Sequence, residues 1–358
     1  MKKILNVLRD MDLTVYQSER FNLDNFHFDP FQDEGEEFER SRIFEKDNKF
    51  GKFVLIKSIT KTSNFSYFLD GSRLTYKIGD IETTDHKFMP IVAGQIATGV
   101  CKRNDGKIKK QAIEQANIIL LHSSINEDDL YDFREKMKAL NIRNVPFIVE
   151  TYRQKNQETR PENFAIATIH KIMQDLEIKM LTEMVESRLL KPEKMLVIDG
   201  SLQFMNKKAD VRLFENVIGI SKTYNPNLTG ILKRKKQQIG TVLTKLEFGE
   251  RTPVYEYQFS NSNRQIGAWY LRIRPKKFVK NPLDGIVKVE KIAYLDDDKE
   301  DGFDSGLIDN ISQSILLERN VTSYGKEARW PNHLYPIHLT ERMLKDSFLS
   351  SEHFLNLF

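Results

Sequence analysis

Two stretches of the sequence close an apolar run on the same tripeptide, YFLDGSRL at 67–74 and MLVIDGSL at 195–202. Each presents a carboxylate, Asp70 or Asp199, then a glycine that permits a turn or a close backbone approach, then a serine hydroxyl. Asp-Gly is also an ordinary turn pair, so the signal lies in the repetition. Two carboxylates held together repel unless a hard cation sits between them, which points to Mg²⁺ or Mn²⁺ on oxygen ligands. A third acid completes many such sites, and the helical segment before the second stretch offers Glu177, Glu183 and Glu186. Glu177, between Leu176 and Ile178 at the edge of an apolar stripe, is the candidate.

Other side chains join this set by position. Lys222 ends the run VIGIS at 217–221, so on a strand beside MLVID its ammonium would meet phosphate or developing negative charge. A lysine snorkelling to the surface is the competing reading. Near the C-terminus WPNHLYPIHLTERMLK places His333 and His338 around a proline turn that enters a helix, and His338 is a candidate general base or metal ligand. GISKT lacks the glycines of a phosphate-binding loop, and no G-x-S-x-G, H-E-x-x-H or G-x-G-x-x-G occurs. Cys101, the sole cysteine, excludes intrachain disulfides and thiolate cages, and in an alternating strand it reads as a packed thiol.

The elements that would carry these residues are legible as periodicity. From Lys52 the pattern is of strands, KFVLIKSI, NFSYFLDGS, SRLTYKIGDI and FMPIVAGQIATGVCKR, which predicts an antiparallel meander of three or four strands. NIILLHSS predicts a strand, DDLYDFREKMKAL a helix and VPFIVETY a strand, an alternating α/β region. Apolar residues from Ala165 to Leu189 recur at helical spacing, one long or two stacked helices ended by Pro192. MLVID and VIGIS lack alternation, as strands covered on both faces require. Strands are expected at VYEYQF, GAWYLRIR and DGIVKVEKIAYL, and helices at QIGTVLTKL, GLIDNISQSILLERN and HLTERMLKDSFL. Residues 1–50, with a short helix at Lys3–Met11 and the acidic, aromatic FDPFQDEGEEFERSR, read as an N-terminal extension, a possible partner-binding segment, ahead of one main domain at 51–358.

With 40% hydrophobic and 30% charged residues the chain has the composition of a soluble globular protein. No apolar stretch is long enough to span a bilayer and no signal-peptide core follows Met1, so a cytoplasmic protein is expected. A net charge of +4 permits a polyanionic partner without requiring one. The basic positions that would guide DNA are Arg73, the run Lys233, Arg234, Lys235 and Lys236, and Arg272 with Arg274.

An early strand ending in DGS, a helix carrying Glu177, LVIDGSL, VIGISKT and a late YP helix, in that order and approximate spacing, resemble the NurA nuclease family from about Phe65 to the C-terminus. The resemblance implies an α/β fold with an RNase H-like mixed sheet flanked by helices over 51–358. It also implies dependence on Mn²⁺ or Mg²⁺, degradation of DNA ends, a homodimer, and docking on a HerA-type hexameric ATPase that translocates DNA, in repair or antiviral defence. Carried over by motif, it implies metal-binding roles for Asp70, Asp199 and Glu177 and an active-site role for Lys222. The family carries a histidine a few residues further into the last helix, where this chain has Thr340, Glu341, Arg342 and Met343; His338 or Glu341 takes its place. A non-catalytic NurA-like DNA-binding subunit of an ATPase assembly, and an unrelated RNase H-like RNA nuclease, are the alternative readings.

Overall fold

A computed structural model describes residues 4–11, 13–17, 19–24, 42–57, 62–83, 86–142, 144–156, 158–202, 209–232, 235–258, 264–322 and 329–358. The N-terminal residues that the sequence assigns to an extension are partly built into the main fold. Helix α1 (Ile4–Arg9) buries Ile4, Leu5 and Leu8 in the central core, beside Phe354 and Phe358 from the opposite end of the chain. Strands β1 (Val15–Tyr16) and β2 (Phe21–Asn22) pair antiparallel with a long central strand. The acidic stretch at 26–38 lies outside the described residues.

After the short β3 (Val54–Leu55), the meander consists of three long strands, β4 (Phe65–Glu82), β5 (Phe88–Asn104) and β6 (Lys107–His122). The two strands expected on either side of Asp70-Gly71-Ser72 are therefore one. The tripeptide runs extended through β4, paired with Gly99, Thr98 and Ala97 of β5, and no turn occurs there. Helix α2 (Glu127–Lys138) starts on Asn126, whose side chain accepts from the Asp128 N–H, and leads through β7 (Asn141–Ile142) to β8 (Val145–Tyr152), parallel to β6. Pro161 opens α3 (Pro161–Glu186), a single helix of 26 residues that lays Ala165, Ile169, Met173, Met180 and Met184 on the sheet.

β9 (Met195–Asp199) and β10 (Val217–Ser221), apolar except for their last residues, then enter beside β4, parallel to it and to each other. A two-stranded ribbon, β11 (Thr229–Leu232) with β12 (Lys235–Gln238), and α4 (Ile239–Leu243) precede β13 (Glu250–Arg251), β14 (Tyr255–Gln258), β15 (Gln265–Arg272) and β16 (Ile286–Ile292), which extend the sheet beyond β10. Among the described residues the main sheet has fourteen strands, with the path β3-β13-β15-β16-β10-β9-β4-β5-β6-β8-β7. The chain closes with α5 (Asp296–Asp301), α6 (Ser305–Leu317), α7 (Tyr335–Ser347) and α8 (Ser351–Leu355).

The fold is thus a mixed α/β arrangement, one large sheet flanked by helices. Helices α3 and α7 both pack on β4 and β5. Cys101, the cross-strand partner of Phe68, meets Met343 of α7, so the face of β4 that carries Phe68 and Asp70 lies under α7. The opposite face, at Gly71, lies under α3. Burial raises the Cys101 thiol, consistent with a packed rather than nucleophilic residue. No helix among the described residues is long and apolar enough to cross a membrane.

Candidate active site

The geometry around Asp70 begins with a strand that stops. β9 pairs with β4 only as far as Leu69 opposite Ile198, and β2 takes up the same edge of β4 from Tyr76 onward. Between them β4 has an open edge beginning at Asp70. The Gly71 N–H, which finds no strand there, donates to Asp70 Oδ1 at 2.8 Å. The parallel register sets Asp70 and Asp199 one residue beyond a matched pair, side by side on adjacent strands about 5 Å apart. A strand end does lie at each carboxylate, at Asp70 the neighbour's end, but both side chains are nearly buried rather than exposed.

After Asp199 the chain does turn. Gly200 sits at φ +109°, a conformation side-chain-bearing residues rarely adopt, and its N–H donates to Ile220 O at 2.9 Å. Buried Glu290 of β16 clamps the turn: its Oε2 accepts from Ser201 Oγ at 2.7 Å and from the Leu202 N–H at 2.8 Å, and its Oε1 pairs with Lys288 at 2.8 Å. Sequence reasoning missed Glu290, since IVKVEKI reads as an ordinary strand and the contact spans almost ninety residues.

Lys222 lies one residue past β10, and its Nζ donates to Asp199 Oδ2 at 2.6 Å with both side chains nearly buried. The same ammonium is 3.9 Å from Glu341 Oε2 on α7. Asn332 holds the local backbone, donating from Nδ2 to Lys222 O at 2.8 Å. Burial pushes the Lys222 ammonium down, and Asp199, Asp70 and Glu341 more than reverse it, so the lysine is firmly charged.

Glu177 approaches from the other face. A Cβ on Gly71 would stand 2.2 Å from Glu177 Oε1 and 3.0 Å from Met173 Sδ, so the acid occupies space that only glycine leaves. Glu183 and Glu186 on the same helix are exposed. Burial and the charge of Asp199 push the Glu177 carboxyl up to about 8. Burial and Asp199 likewise drive Asp70 well above the ordinary carboxylate range, against the pull of Lys222. Glu341 goes the other way: against burial, Lys222, Lys345 and His333 hold it below that range. His338 is half-buried on α7, and burial lowers its imidazole.

The structure therefore brings together Asp70, Asp199, Glu177 and Lys222, with Glu341, His333 and His338 along one side. Asp70 and Glu177 are buried on opposite faces of β4, and Asp199 Oδ1 is buried with no hydrogen-bond donor among the described residues. Among the described residues Asp70, Asp199 and Glu177 do not bring three carboxylate oxygens within 4.8 Å of one another, so the arrangement is a cluster of mutually repelling buried acids rather than a closed ligand set.

The basic residues divide differently. Arg272 was expected to face DNA, but it is fully buried and donates to the carbonyls of Leu246, Asp284 and Pro282 at 2.7, 3.1 and 2.6 Å; the inward-facing backbone carbonyls of two loops take up its donor fork. Arg274 is similarly engaged, donating to Pro331 O at 2.7 Å and stacking on Trp330 at 4.8 Å. Arg73 pairs with Asp24 at 3.0 Å. Lys235 and Lys236 are exposed on β12, while Lys233 and Arg234 lie outside the described residues.

No family model matches the chain, and no curated protein matches it. Among solved structures, the crystal structure of the NurA nuclease from Sulfolobus solfataricus is similar to it at 11% identity and a TM-score of 0.46, over 87% of this chain and 85% of that one.

Proposed function

We propose that the chain is a divalent-metal-dependent deoxyribonuclease that hydrolyses phosphodiester bonds at DNA ends. The observation that supports this reading is that Asp70 and Asp199 stand side by side on adjacent strands with Lys222 donating to Asp199, and that Glu177 is buried close enough for the Asp199 charge to raise its carboxyl. These three residues would hold Mn²⁺ or Mg²⁺, which supplies a bound water of lowered pKa and shields phosphate charge. The chain's own contributions are positional. The β4 ladder fixes Asp70, the Glu290 clamp and Gly200 fix the turn after Asp199, and Gly71 admits Glu177. Lys222, held between Asp199 and Glu341, offers an ammonium to a non-bridging phosphate oxygen.

The central sheet order β6-β5-β4-β9-β10, an antiparallel meander followed by two strands parallel to its first, supports an RNase H-like description. Partnership with a HerA-type hexameric ATPase, a homodimer and a role in repair or antiviral defence are the parts of this reading that rest on the motif resemblance. The test is a divalent-ion series on linear single- and double-stranded DNA with matched RNA, using the wild type and Asp199→Asn, with and without such an ATPase. Mn²⁺-dependent DNA cleavage reduced at least on the order of 100-fold in the variant is expected. Cleavage at an equal rate by the variant, or by the chelated wild type, would falsify the assignment. ATPase stimulation with no nuclease product would favour the non-catalytic subunit.

A further inference from the structure

Beside the three acids lies a second set of ligand atoms with different chemistry. His333 precedes α7, while His338 and Glu341 stand three residues apart on it and so share a face. One ligand atom from each lies within 4.8 Å of the others. His333 is fully buried, and the other two are half-buried. The imidazole rings lie 6.1 Å apart and are inclined by 58°. His333 Nδ1 is 4.0 Å from Glu341 Oε2, an oxygen that is buried and accepts no hydrogen bond among the described residues.

The charges around this carboxylate leave that oxygen available. Lys345 donates to Oε1 at 2.7 Å from the solvent side, and the Lys222 ammonium stands 3.9 Å from Oε2, beyond hydrogen-bond reach and turned to Asp199. A buried carboxylate oxygen without a donor costs free energy, and a cation shared with two nitrogens would recover it. Two imidazoles and one carboxylate are the donors of many open zinc sites, and Mn²⁺ and Fe²⁺ accept them too. The Asp70, Asp199 and Glu177 set offers oxygen alone.

We infer that His333, His338 and Glu341 form a divalent transition-metal site of mixed nitrogen and oxygen donors, adjacent to the carboxylate set and separated from it by Lys222. As a binding site it stands whatever the reaction. Its place as the second ion of a two-ion phosphodiester-cleaving centre rests on the nuclease reading above.

The experiment titrates the chelator-stripped full-length protein with MnCl₂ in the absence of DNA, recording stoichiometry and the electron spin-echo modulation that a coordinated imidazole nitrogen imposes on Mn²⁺. The wild type is expected to show nitrogen modulation. Asp199→Asn is expected to keep it, and His338→Gln and Glu341→Gln to lose it. His338 is half-buried, so its variant is the primary test, and circular dichroism verifies that each variant is folded. Bound Mn²⁺ without nitrogen modulation in the wild type, or modulation unchanged in both folded α7 variants, overturns the site. A nitrogen-ligated ion in a protein that cleaves no DNA leaves the site standing and removes the nuclease reading; cleavage with no nitrogen-ligated ion does the reverse.

Discussion

Replacing Glu177 by glutamine should stabilise the metal-free protein, and increasingly so as the pH rises. The folded state holds this carboxyl protonated up to about 8, against an ordinary value of 4.5. Below 4.5 both folded and unfolded chains carry the proton. Between 4.5 and 8 the unfolded chain releases it while the folded one retains it, so the folded state binds more protons and stability falls with pH. At about 1.4 kcal/mol per pH unit the full loss is about 5 kcal/mol, reached near pH 8. Glutamine keeps the shape and hydrogen-bonding capacity of the protonated acid beside Gly71 but cannot ionise, so its variant escapes this loss. Urea unfolding in EDTA at pH 5, 6, 7 and 8, followed by Trp269 and Trp330 fluorescence, gives the comparison. The variant's advantage should be under about 1 kcal/mol at pH 5, grow by several kcal/mol by pH 8, and shrink when Mn²⁺ replaces EDTA. Parallel stability curves for the two proteins would refute the argument that Glu177 is a desolvated acid facing another carboxylate.

Gly71→Ala should cost about 1–3 kcal/mol and abolish metal-dependent activity, because the new methyl displaces Glu177 Oε1; in a Glu177→Ala background its stability cost should largely vanish, as a double-mutant cycle would report. Arg272→Ala should lower the unfolding midpoint strongly without a specific effect on DNA affinity, since it leaves buried carbonyls without donors. Lys235→Ala with Lys236→Ala should instead weaken DNA binding and flatten its logarithmic salt dependence by roughly 1–2, measured by fluorescence anisotropy across a salt series. Glu290→Gln should destabilise by about 1–3 kcal/mol through loss of the charged partner of Lys288, and raise the Mn²⁺ concentration needed for half-maximal signal in a metal titration.

Local chemistry was readable where the decisive contact is local. Lys222 follows directly on an apolar strand, and strand alternation places its ammonium with Asp199 once the two strands are neighbours. Glu177 could be distinguished from Glu183 and Glu186 because it borders the stripe that faces the sheet. The continuity of β4 was not readable: Gly71 and Ser72 look like a turn, and what makes Asp70 special is that β9 ends next to it, a fact carried by residues more than a hundred positions away. Arg272 misled for a similar reason. In YLRIRP a strand arginine looks outward, but loops ending at Leu246 and Pro282 fold over it and supply the acceptors.

The open edge of β4 has a second occupant. Thr75, five residues past Asp70, donates its N–H to Asp24 Oδ2 at 3.1 Å, and its carbonyl accepts from the Leu23 N–H at 2.8 Å. The chain on the N-terminal side of residues 25–41 is thereby moored to the strand that carries the candidate centre, roughly 16 Å along it by the rise per residue. A molecule that binds beside Leu23 and Asp24 would therefore be held near the acids, and its local concentration there would exceed its abundance in bulk solution.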